Sequence, residues 1–203
     1  MSREPDYTNP FMEGDRDIEL TEGGDLPHMH QDGKIQFVTF RLNDSLPYEL
    51  RSHIDGMRLD FMRDHPEPWD AATNREWMKI CTPMIERYAD QGAGACHLRD
   101  PNVREILRKV IMYFDGVRYD IKTYVIMPNH VHMLLRVYPG FRLPDIMRSI
   151  KQRSAMEINR HLGLSGRLWQ SESYDTLVRN LSHYENCLRY ILSLIHISEP
   201  TRL

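Results

Sequence analysis

His130 and His132 stand two residues apart in the run YVIMPNHVHMLL, Tyr124 to Leu135. In an extended strand successive side chains point to opposite faces, so residues i and i+2 project together. The spacing therefore presents two imidazoles on one side of a stiff support, with Val131 and Met133 on the other. Two neutral ring nitrogens held in this way suit a divalent ion that must also hold a phosphate oxygen. Ordinary surface histidines show the same spacing, so the pair alone leaves both readings open. A second pair, His28 and His30, falls in PHMHQDG, a loop-like run with no strand expected to hold the rings in register, and is read as coincidence.

Tyr190 is the other chemically suggestive side chain. In the last helix Tyr184, Cys187, Leu188 and Ile191 recur at i, i+3, i+4 and i+7, the stripe of a helix packed on a core. At about 100° per residue, Tyr190 falls roughly 110° from the centre of that stripe. It is either a boundary residue or a phenol free for chemistry.

The elements that position these groups follow from local signals. IQFVTFRL, beginning at Ile35, alternates and is β-branched and aromatic, as a strand is. Pro47 opens a helix towards Asp64, which PEPW ends. A Thr73/Glu76 capping box starts a second helix, with Trp77, Ile80, Met84, Ile85 and Tyr88 at helical spacing. Asp100 as cap with Pro101 at the first position starts a third, and Gly116 lies just past its end. Val117 to Met127 reads as a strand, and 130–137 as its near-continuation after a break at Pro128. Leu143 to Leu162 is a basic helix closing at Gly163. Arg167–Gln170 and Tyr174–Arg179 are short extended pieces, and a Ser182/Glu185 box starts the last helix. Mixed strands and helices with varied connections predict an α+β domain: an antiparallel sheet of four or five strands flanked by helices.

A chain of 203 residues is one domain, or one domain plus a tail, with room for a full core; the domain is expected over 34–191. Its mean hydropathy of −0.55 and the lack of any apolar run near ~20 residues argue against a membrane protein. MSREPDYTNP lacks a basic-then-apolar signal, which points to the cytoplasm. Cys81, Cys96 and Cys187, with no CxxC spacing, exclude a disulfide framework and a zinc knuckle. The net charge of −3 hides an asymmetry: residues 1–33 hold nine acids against Arg3 and Arg16, whereas 136–190 hold nine Lys/Arg against five acids. The first segment is read as a mobile acidic leader and the second as a basic half that follows the histidine strand.

From about Phe37 to Ile191 the chain resembles the HUH single-tyrosine transposases, in particular the REP-associated tyrosine transposases related to the smallest insertion-sequence transposases. VTFRLNDSLP resembles their first strand and turn, GAGACHLRDPNVREIL the segment entering a helix, and YVIMPNHVHMLL the metal strand. KQRSAMEINRHLG with LWQSESYDTLVRN resembles the basic helix and the W-Q…Y-D…R stretch, and LRYIL the place of the nucleophile. The resemblance implies an HUH, ferredoxin-like fold and a nucleophilic Tyr190. It also implies Mg²⁺ or Mn²⁺ on His130 and His132, and single-stranded DNA next to a hairpin as substrate. It leaves a monomer or a homodimer open.

The chemistry is consistent with those roles. A phenol, which ordinarily titrates at about 10, is a weak nucleophile but a leaving group that a 3′-hydroxyl can displace later. Imidazole ligands favour Mn²⁺. Arg148, Lys151 and Arg153 on the basic helix could follow a phosphate backbone, as could Arg179, or they are simply solvated cations. Trp169 stacks on an unpaired base or, the better reading, closes the core at a strand end.

The resemblance fails at one point. Four residues after the tyrosine the family carries a polar third ligand, Asn in this branch, where this chain has Leu194. The run LSLIHISEPTRL, Leu192–Leu203, resembles the in-frame translation of a transposon-end sequencing adapter, so it is expected to pack poorly and to add nothing to function. Two rival functions stay open: a hairpin-DNA-binding module of the same fold without cleavage, and a metal-dependent phosphoesterase with a structural Tyr190.

Overall fold

Among the residues that the computed structural model describes, 8–13, 19–21, 28–67 and 69–195, the first elements are two short strands. β1 (Glu19–Thr21) and β2 (His28–His30) pair antiparallel, with Glu19 opposite His30. The second histidine pair thus lies in a strand, not in the expected loop; its backbone partners come from β1 and could not be read from PHMHQDG. Nor are residues 8–13 of the expected mobile leader adrift. Ile35 N–H donates to the Pro10 carbonyl at 2.8 Å and Met12 N–H to that of Val178 at 2.9 Å.

The principal sheet follows. β3 (Ile35–Arg41) leads to helices α1 (Tyr48–Asp64) and α2 (Ala71–Asp90), a single 3-10 turn at His97–Arg99, and α3 (Pro101–Met112). Then come β4 (Tyr119–Ile126), β5 (His130–Val137), α4 (Leu143–Leu162), β6 (Tyr174–Leu177) and α5 (Leu181–Ile195). The strands lie in the order β4-β5-β3-β6, every neighbour antiparallel. This is the predicted α+β class, with four strands in the sheet.

Most boundaries obey the local signals. Asp100 accepts from Asn102 N–H beneath Pro101, and Gly163 closes α4 at φ 66°. Two caps differ from expectation. α2 is capped by Asp70, whose carboxylate accepts from Thr73 N–H at 2.7 Å, so Thr73 lies inside the helix. At α5 it is Asn180 Oδ1 that accepts from His183 N–H at 2.9 Å, leaving Ser182 two residues too late. A third difference concerns topology. β4 and β5 are not one interrupted strand: Pro128–Asn129 reverses the chain, Met127 N–H donates to the His130 carbonyl, and Ile126 pairs with Val131.

Alternation divides the sheet between two layers. Val38 and Phe40 of β3 with Val131, Met133, Leu135 and Val137 of β5 pack against α3 and α4. Ile35, Phe37 and Leu134 turn the other way, towards Cys187, Ile191 and Leu194 of α5. Complete burial of Ile191 contributes on the order of 1.5–3 kcal/mol to holding α5 on the sheet. α1 and α2 form a hairpin closed by aromatics: Phe61 stacks on His65, and Trp69 Nε1–H donates to the His65 carbonyl at 2.6 Å. Trp77 is buried beside them. The cysteines are buried and free of disulfides.

Candidate active site

His130 and His132 lie on the α5 side of β5, as their spacing predicts, and both are buried. Their Nε2 atoms are 3.0 Å apart, with the rings nearly perpendicular. The Nδ1 atoms are tied back into the protein. Asn129 Nδ2–H donates to the Ala93 carbonyl at 2.9 Å, which fixes the amide so that its Oδ1 faces His130 Nδ1 at 2.7 Å. An amide oxygen can only accept, so His130 carries its proton on Nδ1 and presents a bare Nε2. His132 Nδ1 lies 2.8 Å from the Thr39 hydroxyl, across the strand pairing that sets Thr39 opposite His132.

The loop carrying Ala93 depends on Gly94. This residue has φ +85°, and a Cβ there would stand 2.6 Å from the Asp44 carbonyl oxygen. The next residue, Ala95, donates its N–H to the Asp44 carboxylate at 2.7 Å. Only glycine lets this loop approach closely enough to orient Asn129.

Burial, first of all, depresses the pKa of both imidazoles. His130 falls far below the ordinary 6.5, with the charges of His132 and Arg41 adding to the effect. His132 falls to about 3, with Arg41 again contributing. Because the folded values lie below the unfolded one, the two rings favour the fold above pH ~6.5 and lose that contribution as pH falls. Urea midpoints should therefore drop between pH 7 and pH 4 more steeply in the wild type than in a His130→Gln/His132→Gln double variant.

Tyr190 closes the site from α5. Its hydroxyl is 3.5 Å from His132 Nε2, and its ring meets those of His132 and Phe37 edge-on. Phe37 in turn stacks on His132, with centroids 5.5 Å apart. The tyrosine is thus nearer the buried face of its helix than predicted. That face is centred on Cys187, Ile191 and Leu194, with Leu188 only half-buried. Leu194, in the tail whose whole length is expected to pack poorly, is buried in this layer one turn beyond Tyr190. The remainder of that tail, 196–203, lies outside the described residues.

A shared metal ion suits the donor set in one measurable respect. Cis ligands about 2.1 Å from an octahedral ion lie about 3.0 Å apart, the separation of the two Nε2 atoms. Among the described residues no group of three or more His, Cys, Asp or Glu surrounds the pair, and Leu194 supplies no donor. Further ligands would come from water and substrate oxygen.

The basic residues of the α4 helix do not gather here. α4 packs on the opposite face of the sheet. On it Arg148 pairs with Asp145, Arg153 with Glu157, and Lys151 donates to the Gln170 and Ser171 carbonyls. Trp169 is a core residue: its Nε1–H donates to Ser154 Oγ at 2.9 Å and its ring packs edge-on against Phe40. A ring so enclosed offers no face to an unpaired base, which corrects the stacking role. Arg179, by contrast, lies in the connection leading into α5, beside a cleft that His183 of that helix also lines. Sequence reading missed Asn129, Thr39 and Gly94. The asparagine had a signal, a side-chain amide directly before the histidine strand; the threonine had none, because cross-strand register is not local.

Residues 97–193 match the family of IS200-like transposases. No curated protein matches the chain. Among solved structures, a REP-associated tyrosine transposase bound to a REP hairpin aligns with a TM-score of 0.50 at 15% identity, covering 87% of this chain and 75% of that one. A candidate transposase from Deinococcus radiodurans R1 aligns over 85% of this chain and 96% of its own, at 14% identity and a TM-score of 0.38. At such identity the first likeness is one of fold. Among the described residues no helix is long and apolar enough to cross a membrane.

Proposed function

We propose, from the match of residues 97–193 to the IS200-like transposases, that this protein cuts and rejoins single-stranded DNA beside hairpins through a covalent tyrosine intermediate. The observation that carries the reading is the meeting of two elements: α5 brings the Tyr190 hydroxyl within 3.5 Å of His132 Nε2, which itself lies 3.0 Å from His130 Nε2. The solved structure of similar fold is bound to a REP hairpin, which supports a hairpin-bearing substrate here. The site is assembled within one chain, which supports cleavage in cis.

In this mechanism the Tyr190 oxygen attacks the scissile phosphorus and the bond to the 3′ oxygen breaks. A 5′-phosphotyrosine and a free 3′-hydroxyl result. A 3′-hydroxyl then attacks the phosphotyrosine, restoring the phenol and a phosphodiester; the exchange of esters needs no ATP. His130 and His132 would hold Mg²⁺ or Mn²⁺, which would polarise the phosphate as a Lewis acid. Asn129 keeps the proton of His130 off Nε2, Thr39 fixes the ring of His132, and Phe37 supports both His132 and Tyr190. Such prepositioning lowers the barrier by removing orientational freedom beforehand.

The test is strand cleavage by the full chain with Mn²⁺, on a labelled oligonucleotide whose hairpin is flanked by single strands. Cleavage in the flank is expected, with a fully duplex control left intact. Tight binding without any cleavage would instead favour the binding-module reading, and equal cutting of the duplex would overturn the substrate class.

A further inference from the structure

Beyond the catalytic pair, a cleft of about 330 Å³ runs between α2 and the β6–α5 corner. It falls at the lower end of the usual range for ligand sites. Arg75 and Lys79 border it from α2 and Arg179 from the connection between β6 and α5, against one acid among the described lining residues, Asp175. Lys79 and Arg179 are solvent-exposed. Its floor leads to the active site by two routes. Tyr174 in β6 pairs with Thr39, whose hydroxyl holds His132. His183, also in the lining, precedes Tyr190 by seven residues on α5, hence on the same helical face and about 10 Å away along the axis. A nucleic-acid strand advancing roughly 3.4 Å or more per nucleotide would cover that distance in about three nucleotides or fewer.

We propose that this cleft is the channel for the DNA strand flanking the scissile phosphate, with Arg75, Lys79 and Arg179 on its backbone. The inference rests on the single-strand-cleaving function proposed above. It adds a binding site on α2, outside the segment 97–193 that matches the transposase family. Cations placed in this way position the strand without reading its sequence. They hold it by neutralising phosphates and releasing counterions, so the affinity they supply is salt-dependent.

The test is the salt dependence of affinity for a labelled single-stranded oligonucleotide carrying a hairpin, measured with the full chain. A Lys79→Gln/Arg179→Gln double variant alters only exposed side chains; unchanged circular dichroism and thermal midpoint would verify its fold. Its plot of log affinity against log salt should be shallower by about 1.4, some 0.7 for each single-strand phosphate that is no longer neutralised. Lys109→Gln, on α3 across the sheet, should keep the wild-type slope. If the double variant retains that slope while the wild type binds and cleaves, the channel is wrong and the proposed function stands. An equal flattening in Lys109→Gln would reduce the effect to bulk charge and also overturn the channel. Absence of salt-dependent binding by the wild type would overturn both.

Discussion

Replacing His132 by alanine is expected to lower strand cleavage by about a thousandfold or more and to weaken Mn²⁺ binding in step. Its Nε2 faces both His130 and the Tyr190 hydroxyl. In the proposed mechanism the substitution therefore removes a metal donor and a neighbour of the nucleophile together. Polarisation of a phosphoryl oxygen by a bound ion is worth several kcal/mol, and each ~1.4 kcal/mol is a factor of ten in rate. Phe37 also loses the ring on which it stacks, so some loss of stability will accompany the change. Metal titration and single-turnover cleavage on the same preparation separate the effects. Weaker metal binding with cleavage unchanged at saturating Mn²⁺ would contradict the role given to His132.

Tyr190→Phe should have the opposite profile: a small change in stability and complete loss of chemistry. The ring packing against His132 and Phe37 does not involve the hydroxyl, whose approach to His132 Nε2 is a long 3.5 Å. Loss of such a hydrogen bond costs on the order of 1 kcal/mol. Cleavage by a covalent route, by contrast, has no substitute oxygen on the phenylalanine ring. Denaturation midpoints together with adduct formation on hairpin-flanked single-stranded DNA check both halves. An adduct that survives in Tyr190→Phe would remove Tyr190 from the mechanism and favour the phosphoesterase reading or another nucleophile.

The histidine strand is legible in the sequence because its information is local. A period of two places His130 and His132 together whatever the strand's neighbours, and the structure keeps β5 at residues 130–137. α4 is legible for a similar reason, with a helical apolar pattern that ends at a glycine suited to positive φ. Partnership is less visible. The turn at Pro128–Asn129 reads as an interruption in one strand, since nothing in YVIMPNHVHMLL states that the two arms pair with each other. Thr39 reaches His132 only through the β3–β5 register. Tyr190 faces the histidines, but its angle from the apolar stripe is overestimated for a specific reason: leaving Leu194 out of that stripe shifts its centre towards Leu188. With Leu194 included, the buried face turns towards Tyr190 and brings the phenol over the sheet.

The central claim is that Tyr190 itself becomes joined to DNA beside the two histidines, and it can be read from one peptide map. The full chain is incubated with Mn²⁺ and a hairpin-flanked single-stranded oligonucleotide, then denatured and digested with protease and nuclease. Mass spectrometry locates the residue that retains a nucleotide phosphate. The account predicts that label on the α5 peptide at Tyr190, absent when Mn²⁺ is withheld. Label on Tyr174 or Tyr184 instead, or cleaved DNA with no protein-bound nucleotide, would contradict it.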